Sequence, residues 1–239
     1  MMPAESPTKP SDEPERRLLH ALRMGYSVDG KSGIRNPIGM HSNSVEVKTH
    51  YVTGSSSFIR RLTQAIDKSG IRIDSLVLEP LASGVAVLTP AEKEHGTLLV
   101  DIGGGTTDIV IFKRGQICYT GVVPIGGFQF TNDIVLTFNT SYEAAESAKL
   151  QHANTDLHTI ATSDEEISLP IKGQDNLLRV PRLDICQLTR ERAQELAQMI
   201  KLKLKEANIV QPSDLRLVLT GGASNLPGLA KLMERTIGI

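Results

Sequence analysis

The hydrophobic and polar residues follow two spacings along the chain, and together they predict a mixed α/β protein. Stretches that alternate or are rich in β-branched residues predict strands, and apolar residues three or four apart predict helices. The predicted strands are residues 17–28, 44–53, 73–78, 97–102, 107–112, 116–123, short segments within 167–180, and 215–220. The predicted helices are residues 56–68, 81–88, 141–150, 188–208 and 226–237.

Two of these segments carry further expectations. Residues 81–88 read LASGVAVL, and this run of small and apolar residues predicts a buried helix. Residues 33–40 read GIRNPIGM, where two glycines and a proline predict a loop. No repeat of solenoid type is visible, so the pattern indicates a β-rich opening followed by α/β structure.

The composition excludes several classes of protein. The 239 residues have a formal net charge of -1, which lacks the basic excess of a nucleic-acid binder. Cys118 and Cys186 stand far apart without CxxC spacing, which predicts reduced thiols and no metal site. Residues 1–16 are polar and proline-rich, which predicts a disordered tail, not a secretory signal. The prediction is therefore a cytoplasmic protein.

One match to a phosphate-binding pattern is rejected on physical grounds. Gly25, four intervening residues and then Gly30-Lys31-Ser32 match the pattern of a P-loop. A P-loop must open a helix whose N-terminus holds the phosphates, but Gly33, Pro37 and Gly39 cannot sustain that helix. A hairpin turn at Asp29-Gly30 is the better interpretation.

A second glycine motif, VDIGGGTTDIVIF at residues 100–112, predicts a phosphate-binding turn between two strands. Three successive glycines let the backbone approach a ligand and direct N–H groups at it, and two threonines add hydroxyls. A strand follows the glycines, whereas a P-loop or a dinucleotide-binding fold requires a helix there. A plain glycine-rich hairpin is the alternative.

The third motif, LVLTGGASNLPGL at residues 217–229, places bare backbone at the end of a strand. Ser224 or Asn225 is expected to cap the helix that follows near Pro227. Nucleotides bind at this edge of α/β sheets, because helix N-termini and exposed backbone N–H groups meet there.

These motifs, in this order, resemble those of the FtsA family of actin-like ATPases. The runs LVLEPLASGVAVLT, VDIGGGTTDIVIF, VVPIGG, AESAK and LTGGASNLPGL carry the actin-like resemblance, while GYSVDGKSGIRNPIGM and VEVKTHYVTG resemble the small β-rich subdomain inserted in FtsA. The resemblance implies an α/β, actin-like (ribonuclease H-like) ATPase fold. The implied divisions are an SHS2-like insertion at 17–55, a remnant of the first actin-like domain at 56–96, and a second domain at 97–239 with a small subdomain at about 128–199.

The resemblance also implies ATP and Mg²⁺ as ligands. Asp101 matches the acidic residue that positions magnesium through its waters, and Glu79 matches the residue that orients the attacking water in some relatives. A helix N-terminal charge is the alternative for Glu79, and a solvated i,i+3 ion pair is the alternative for Glu146 with Lys149. The residues matched to nucleotide binding are Gly103, Gly104, Gly105, Thr106, Thr107, Glu146, Lys149, Gly221, Gly222 and Ser224.

The partners implied are those of bacterial cell division. Members of the family polymerise and link the FtsZ ring to the inner face of the cell membrane at the division site. Arg192 matches a basic residue near the surface that binds the FtsZ C-terminal tail, with an ordinary exposed helix charge as the alternative. Other divisome proteins are expected partners, and nucleic acid is not.

The sequence departs from the family pattern in one respect. No Asp-x-Gly turn precedes Glu79, so the first phosphate turn, the opening part of the first domain and the membrane-targeting helix are expected to lie outside this sequence. Any ATPase activity is therefore expected to be weak at most, and the isolated chain is expected to be inactive. Two alternatives stay open: an interaction module or degenerate remnant that binds no nucleotide, and another actin-like protein, such as a pilus-assembly protein, a chaperone or a sugar kinase.

Overall fold

The computed structural model describes residues 15–160, 165–209 and 212–239. Residues 1–14 of the predicted tail lie outside the described residues, and Arg16 already begins a strand. The strands are β1 (Arg16–Val28), β2 (Lys31–Ile34), β3 (Val45–Ser55), β4 (Thr97–Ile102), β5 (Thr107–Lys113), β6 (Gln116–Val123), β7 (Glu166–Pro170), β8 (Leu177–Pro181) and β9 (Arg216–Thr220). The helices are α1 (Ser56–Lys68), α2 (Glu79–Val87), α3 (Pro90–His95), α4 (Gly127–Phe138), α5 (Tyr142–His152), α6 (Arg182–Glu206) and α7 (Leu229–Ile237).

The first three strands form an antiparallel sheet in the order β2-β1-β3. Val28 pairs with Lys31, so Asp29 and Gly30 form a two-residue turn, both with positive φ. The Asp29 carboxylate accepts hydrogen bonds from the backbone N–H groups of Asn43 and Ser44, each at 2.9 Å. The predicted hairpin turn is confirmed, because a strand follows the P-loop-like pattern where a phosphate-binding helix would be required.

A second sheet, in the order β6-β5-β4-β9, forms the centre of the protein. Strands β4 and β9 are parallel, and β4, β5 and β6 are antiparallel neighbours. All six residues of β4 are buried, since helices cover both faces of this strand. Helices α6 and α7 pack on one face through Leu196, Ile200 and Met233.

A smaller unit completes the chain beside this sheet. Helices α4 and α5 pack with the hairpin of β7 and β8 around a separate apolar cluster that includes Ile134, Ala145 and Leu169. Helix α5 begins where predicted, because the Ser141 hydroxyl accepts a hydrogen bond from the Ala144 N–H and so caps the helix.

Several predicted boundaries are wrong. Residues 73–78 do not form a strand, because no strand of the described residues pairs with them. The predicted loop at 33–40 is shortened by β2, and α6 starts at Arg182. Helix α2 exists, but only one side of it is buried: Gly84 packs against Phe112, while Val85 is 77% exposed.

Two helices, α3 and α4, were not predicted, and α7 begins later than predicted. Its first residue is Leu229, and its N-cap is Gly228 at φ 81°, without a side-chain cap. Ser224 lies in a short 3-10 turn instead, where its hydroxyl donates to the Gly221 carbonyl at 2.7 Å. The predicted capping role of Ser224 or Asn225 is therefore wrong.

Candidate nucleotide site

The glycine motif at 103–105 forms the turn between β4 and β5. The turn is closed by a hydrogen bond of 2.9 Å from the Gly103 N–H to the Thr106 carbonyl. A Cβ atom placed on Gly104 or Gly105 would meet no atom within 4 Å. The backbone of this loop therefore borders open space, as a loop that approaches phosphate groups requires.

The N-terminus of α4 packs directly on this loop. The N–H groups of Gly127 and Phe128 donate to the carbonyls of Gly103 and Gly104 at 2.8 and 2.6 Å. A Cβ on Gly126 would lie 2.7 Å from the Gly103 carbonyl oxygen, so the two backbones approach as closely as glycine allows. Helix α4 is not predicted by the residue pattern, although the Ile-Gly-Gly run at 125–127 is a signal of such an approach.

The second glycine motif reaches the same place because β9 lies parallel to β4. Asp101 pairs with Thr220, so Gly221 follows at the carboxyl ends of both strands. Gly221 has φ 85°, and a Cβ there would lie 2.5 Å from Asp101 Oδ1. Gly222, by contrast, faces open space. The Gly221 backbone thus packs on the Asp101 carboxylate, and Gly222 is the glycine that borders the site.

Glu146 and Lys149 form a partly buried polar cluster with Thr131 and the Gly127 carbonyl. Lys149 Nζ donates to Glu146 Oε2 at 2.7 Å, to Thr131 Oγ1 at 2.9 Å and to the Gly127 oxygen at 3.3 Å. The Lys149 side chain is only 12% exposed. Burial raises the pKa of Glu146, but the hydrogen bonds from Lys149 and Thr131 outweigh it and lower that pKa. The pair is thus partly buried and held by Thr131, with 32% of the Glu146 side chain exposed.

A cavity of about 590 Å³ lies between these features. The β4–β5 turn, the start of α4, α5 and the turn after β9 all contribute to it. An aromatic pair also borders it: the rings of Phe128 and Tyr142 stack with centroids 5.7 Å apart. The predicted site residues that line it are Gly103, Gly104, Glu146, Lys149 and Gly222.

Three carboxylates gather at the other side of the glycine turn. Asp101 and Asp108 are directly opposite each other in the β4–β5 ladder, and both are at least nine-tenths buried. Asp101 Oδ2 accepts a hydrogen bond of 2.5 Å from Ser83 of α2, the helix that begins at Glu79. Burial, together with the charges of Glu79 and Asp101, raises the pKa of Asp108 to about 6. No role for Asp108 follows from the sequence alone, because its pairing with Asp101 depends on the register of β4 and β5.

Two matched residues point away from the cavity. Thr107 is fully buried, and its hydroxyl donates to the Ile125 carbonyl at 2.7 Å, so its side chain stabilises the fold and is not available to phosphate. The Ser224 hydroxyl is bonded to Gly221, as described above. Thr106 is exposed, and its side chain bonds to Asp108.

Comparison with sequence profiles of known families identifies the family of this chain. The sequence profile described as "Cell division protein FtsA" matches residues 98–239, which is more than half of the chain. The profile "SHS2 domain inserted in FTSA" matches residues 4–53. The chain belongs to the FtsA family. The predicted family is confirmed.

Individual FtsA proteins match nearly the whole chain. It is 36% identical over 220 residues to the cell division protein FtsA of Pseudomonas aeruginosa, covering 92% of this chain and 52% of that protein. With FtsA of Escherichia coli K12 it shares 32% identity over 228 residues, covering 92% and 54%. The chain thus spans about half the length of the curated FtsA relatives it matches.

Solved structures confirm the actin-like fold. A chain of the PilM-PilN type IV pilus biogenesis complex superposes with a TM-score of 0.63 at 20% identity, covering 85% of this chain and 52% of that one. MreB5 of Spiroplasma citri, bound to ADP, gives a TM-score of 0.62 at 16% identity, covering 77% and 59%. At these identities the likeness establishes the fold alone.

Arg192, the residue matched to FtsZ-tail binding in FtsA, lies on α6 in a different place from the cavity. Its guanidinium donates two hydrogen bonds of 2.7 Å to Asp133 of α4 and one of 2.5 Å to Glu195. These contacts raise its pKa above the usual value. Arg192 thus fastens α6 to α4, and it also lines a surface groove of about 390 Å³.

Two further properties bear on this FtsA-family chain. In the described residues, no group of three or more His, Cys, Asp or Glu side chains is arranged to hold a metal ion. None of the helices in the described ranges combines the length and apolar character needed to cross a bilayer.

Proposed function

We propose that this chain carries the ATP-binding half-site of an FtsA-type cell division protein. The observation that supports the proposal best is the cavity of about 590 Å³, where two glycine turns from distant parts of the sequence meet the Glu146–Lys149 cluster. Bare backbone on one side and a partly buried ion pair on the other suit a ligand that has phosphates at one end and a polar sugar and base at the other.

Different residues of the chain are proposed to contact different parts of the nucleotide. The backbone of residues 103–106 faces the phosphates, and Gly222 provides close approach near the nucleoside. Glu146 and Lys149 are held by Thr131 and the Gly127 carbonyl, so their hydrogen-bonding groups are oriented before the ribose and adenine arrive. Phe128 and Tyr142 add apolar area at the rim. MreB5, a fold neighbour, was solved with ADP.

The residues near Asp101 fit magnesium. Mg²⁺ usually keeps several waters and is bound through one or two carboxylates together with substrate phosphates. Asp101 and Asp108 lie side by side next to the glycine turn, and Ser83 fixes one oxygen of Asp101. When bound, the ion would neutralise phosphate charge. Glu79 is exposed at the start of α2 and is the proposed group that orients an attacking water.

A binding titration tests the nucleotide proposal. A fluorescent ATP analogue is titrated with Mg²⁺ into the wild-type chain and into the variants Asp101→Ala and Lys149→Met. Loss of hydrogen bonds from a charged group predicts about ten- to hundredfold weaker binding for Lys149→Met. Lys231→Met, an exposed lysine on α7, is the matched control and should bind as the wild type does. Absence of binding in folded wild-type protein would favour the alternative, an interaction module that works without nucleotide.

We also propose that the protein acts between the FtsZ ring and the membrane, as FtsA proteins are expected to do. The groove beside Arg192 supports a binding place for the FtsZ C-terminal tail: it is lined by apolar Leu136 and Leu188 among charged residues, and Leu136 is 72% exposed. Membrane attachment, polymerisation and contacts with other divisome proteins are proposed for the full-length protein only.

A labelled FtsZ-tail peptide tests the groove. Leu136→Glu places a charge in an exposed apolar position and retains both members of the Arg192–Asp133 pair, so the variant should fold and bind the peptide less tightly. Leu202→Glu is the control, because Leu202 is an exposed leucine of α6 that does not line the groove. Equal peptide affinity for both variants and the wild type would place the tail elsewhere.

A further inference from the structure

A second cleft separates the β2-β1-β3 sheet from the β5–β6 hairpin. It encloses about 470 Å³ and shares no lining residue with the nucleotide cavity. Ile34, Tyr26 and Val47 line it from the sheet, and Gln116 and Cys118 line it from β6. The cleft lies at the end of β5 opposite to the glycine turn, so the length of β5 puts roughly 20 Å between the two sites.

Three cationic side chains, Lys48, Lys113 and Arg114, line this cleft. Among the described residues, none of the three takes part in an ion pair. Arg35, a fourth cation in the lining, is paired with Glu94. Glu46 is the single carboxylate in the described lining, so the cleft carries an excess of positive charge.

The cations act on one space and are not spread over separate surfaces. Arg114 stands in the β5–β6 turn at φ 54°, and its Nη1 lies 3.2 Å from the position of a Cβ on Gly33. The guanidinium therefore reaches across the cleft to the β2 backbone. Lys113, Lys48 and Arg114 all act electrostatically on the Cys118 thiol, although burial is the larger effect and raises its pKa. Cys118 thus lies within the field of all three.

We propose that this cleft is a second binding site, for a small anion that carries several phosphate or carboxylate groups. Unpaired cations that line one cleft repel one another, and a multiply charged anion would relieve that repulsion. The apolar walls lower the local dielectric and strengthen the attraction. The anion would be recognised by side-chain charges and not by the N-terminus of a helix. The reason is that the P-loop-like pattern at residues 25–32, which borders the cleft, forms a hairpin. The proposal is independent of ATP binding.

Cys118 provides a local reporter for the test. In a Cys186→Ser background, we compare the rates at which Cys118 reacts with dianionic 5,5′-dithiobis(2-nitrobenzoate) and with neutral 4,4′-dithiodipyridine. A change in the thiol pKa alters both rates alike, so their ratio reports the electrostatic field of the cleft. Replacing Lys48 and Lys113 by Gln should lower the ratio about tenfold. Lys231→Gln, remote from the cleft, should leave it unchanged.

Binding itself is measured by protection of the thiol. Tripolyphosphate, added at constant ionic strength, should slow both reagents saturably in the wild type, and citrate should do the same if carboxylates suffice. Protection should disappear in Lys48→Gln/Lys113→Gln and persist in Lys149→Met, which alters the nucleotide cavity alone. Unsaturable slowing by both anions, or protection that survives the double substitution, would overturn the proposal. If the double variant fails to fold by circular dichroism, saturation in the wild type and its persistence in Lys149→Met decide the matter.

Discussion

The titration of Asp108 links one residue to the stability of the whole fold. Its pKa in the folded protein is about 6, above the ordinary value of 3.8, chiefly because it is buried and secondly because Glu79 and Asp101 are near. The folded state therefore holds more protons than the unfolded state between about pH 4 and pH 6, and this residue's contribution to stability falls as pH rises through that window. Above it the full penalty of the buried charge remains.

Asp108→Asn removes that charge and retains the shape of the side chain. In chelator-treated protein the variant should be more stable than the wild type by about 1–3 kcal/mol at pH 8, and by less at pH 5. Urea unfolding at the two pH values measures the difference. A gain that stays the same at both values would show that ionisation of Asp108 is not its source.

At the scale of elements, substitutions at the contact between the glycine turn and α4 can distinguish an effect on stability from an effect on nucleotide binding. A Cβ on Gly126 would lie 2.7 Å from the Gly103 oxygen and 2.8 Å from the Gly104 oxygen, both on the backbone, which cannot move aside cheaply. Gly126→Ala should therefore lower the free energy of unfolding by about 1–3 kcal/mol and displace the turn, weakening nucleotide binding.

The matched variant is Gly104→Ala on the same turn. Its Cβ would meet nothing within 4 Å, and its φ is not positive, so stability should change by less than about 0.5 kcal/mol. Nucleotide affinity should fall, because the methyl group projects where phosphate is proposed to approach. Thermal unfolding and nucleotide titration of both variants check the pair, and a stable Gly126→Ala protein would argue against the close approach.

The sequence predicted elements well where their local pattern was enough. The strand bounds of β4 and β6 and the helix α1 agree with the structure, because period and turn residues mark their ends. The strand predicted at residues 73–78 was wrong, because a strand exists only with a partner and pairing is not a local property. Helix α4 was missed because Gly126 and Gly127, which let it touch the glycine turn, look like a turn in sequence.

For the candidate site, motif order brought the right loops together, but side-chain directions were beyond the sequence. Thr107 turns into the core and bonds to Ile125, whereas its neighbour Thr106 is exposed. The pairing of Asp101 with Asp108 depends on the register of β4 and β5, which the glycine count alone does not give. Glu146 and Lys149 were assigned from the family resemblance, and their i,i+3 spacing, which is a local property of a helix, places them side by side.

At the scale of the whole molecule, the face formed by α1 is open in this chain. The helix has no buried residue, and Phe58 and Leu62, one turn apart, are 68% and 57% exposed. Val77 and Val85, beyond α1, are also exposed. Apolar side chains grouped in this way favour association, so we expect the 239-residue chain to self-associate as its concentration rises.

Phe58→Glu combined with Leu62→Glu should shift sedimentation-velocity profiles toward the monomer, with little change in melting temperature because neither side chain is part of a core. Gln64→Glu, an exposed polar position on the same helix, adds a charge away from the Phe58–Leu62 row and should leave association as in the wild type. A wild-type chain that stays monomeric over the whole concentration range would contradict the expectation. If association persists in the double variant, the contact lies on another surface, and the edge strands of the two sheets become the next surfaces to test.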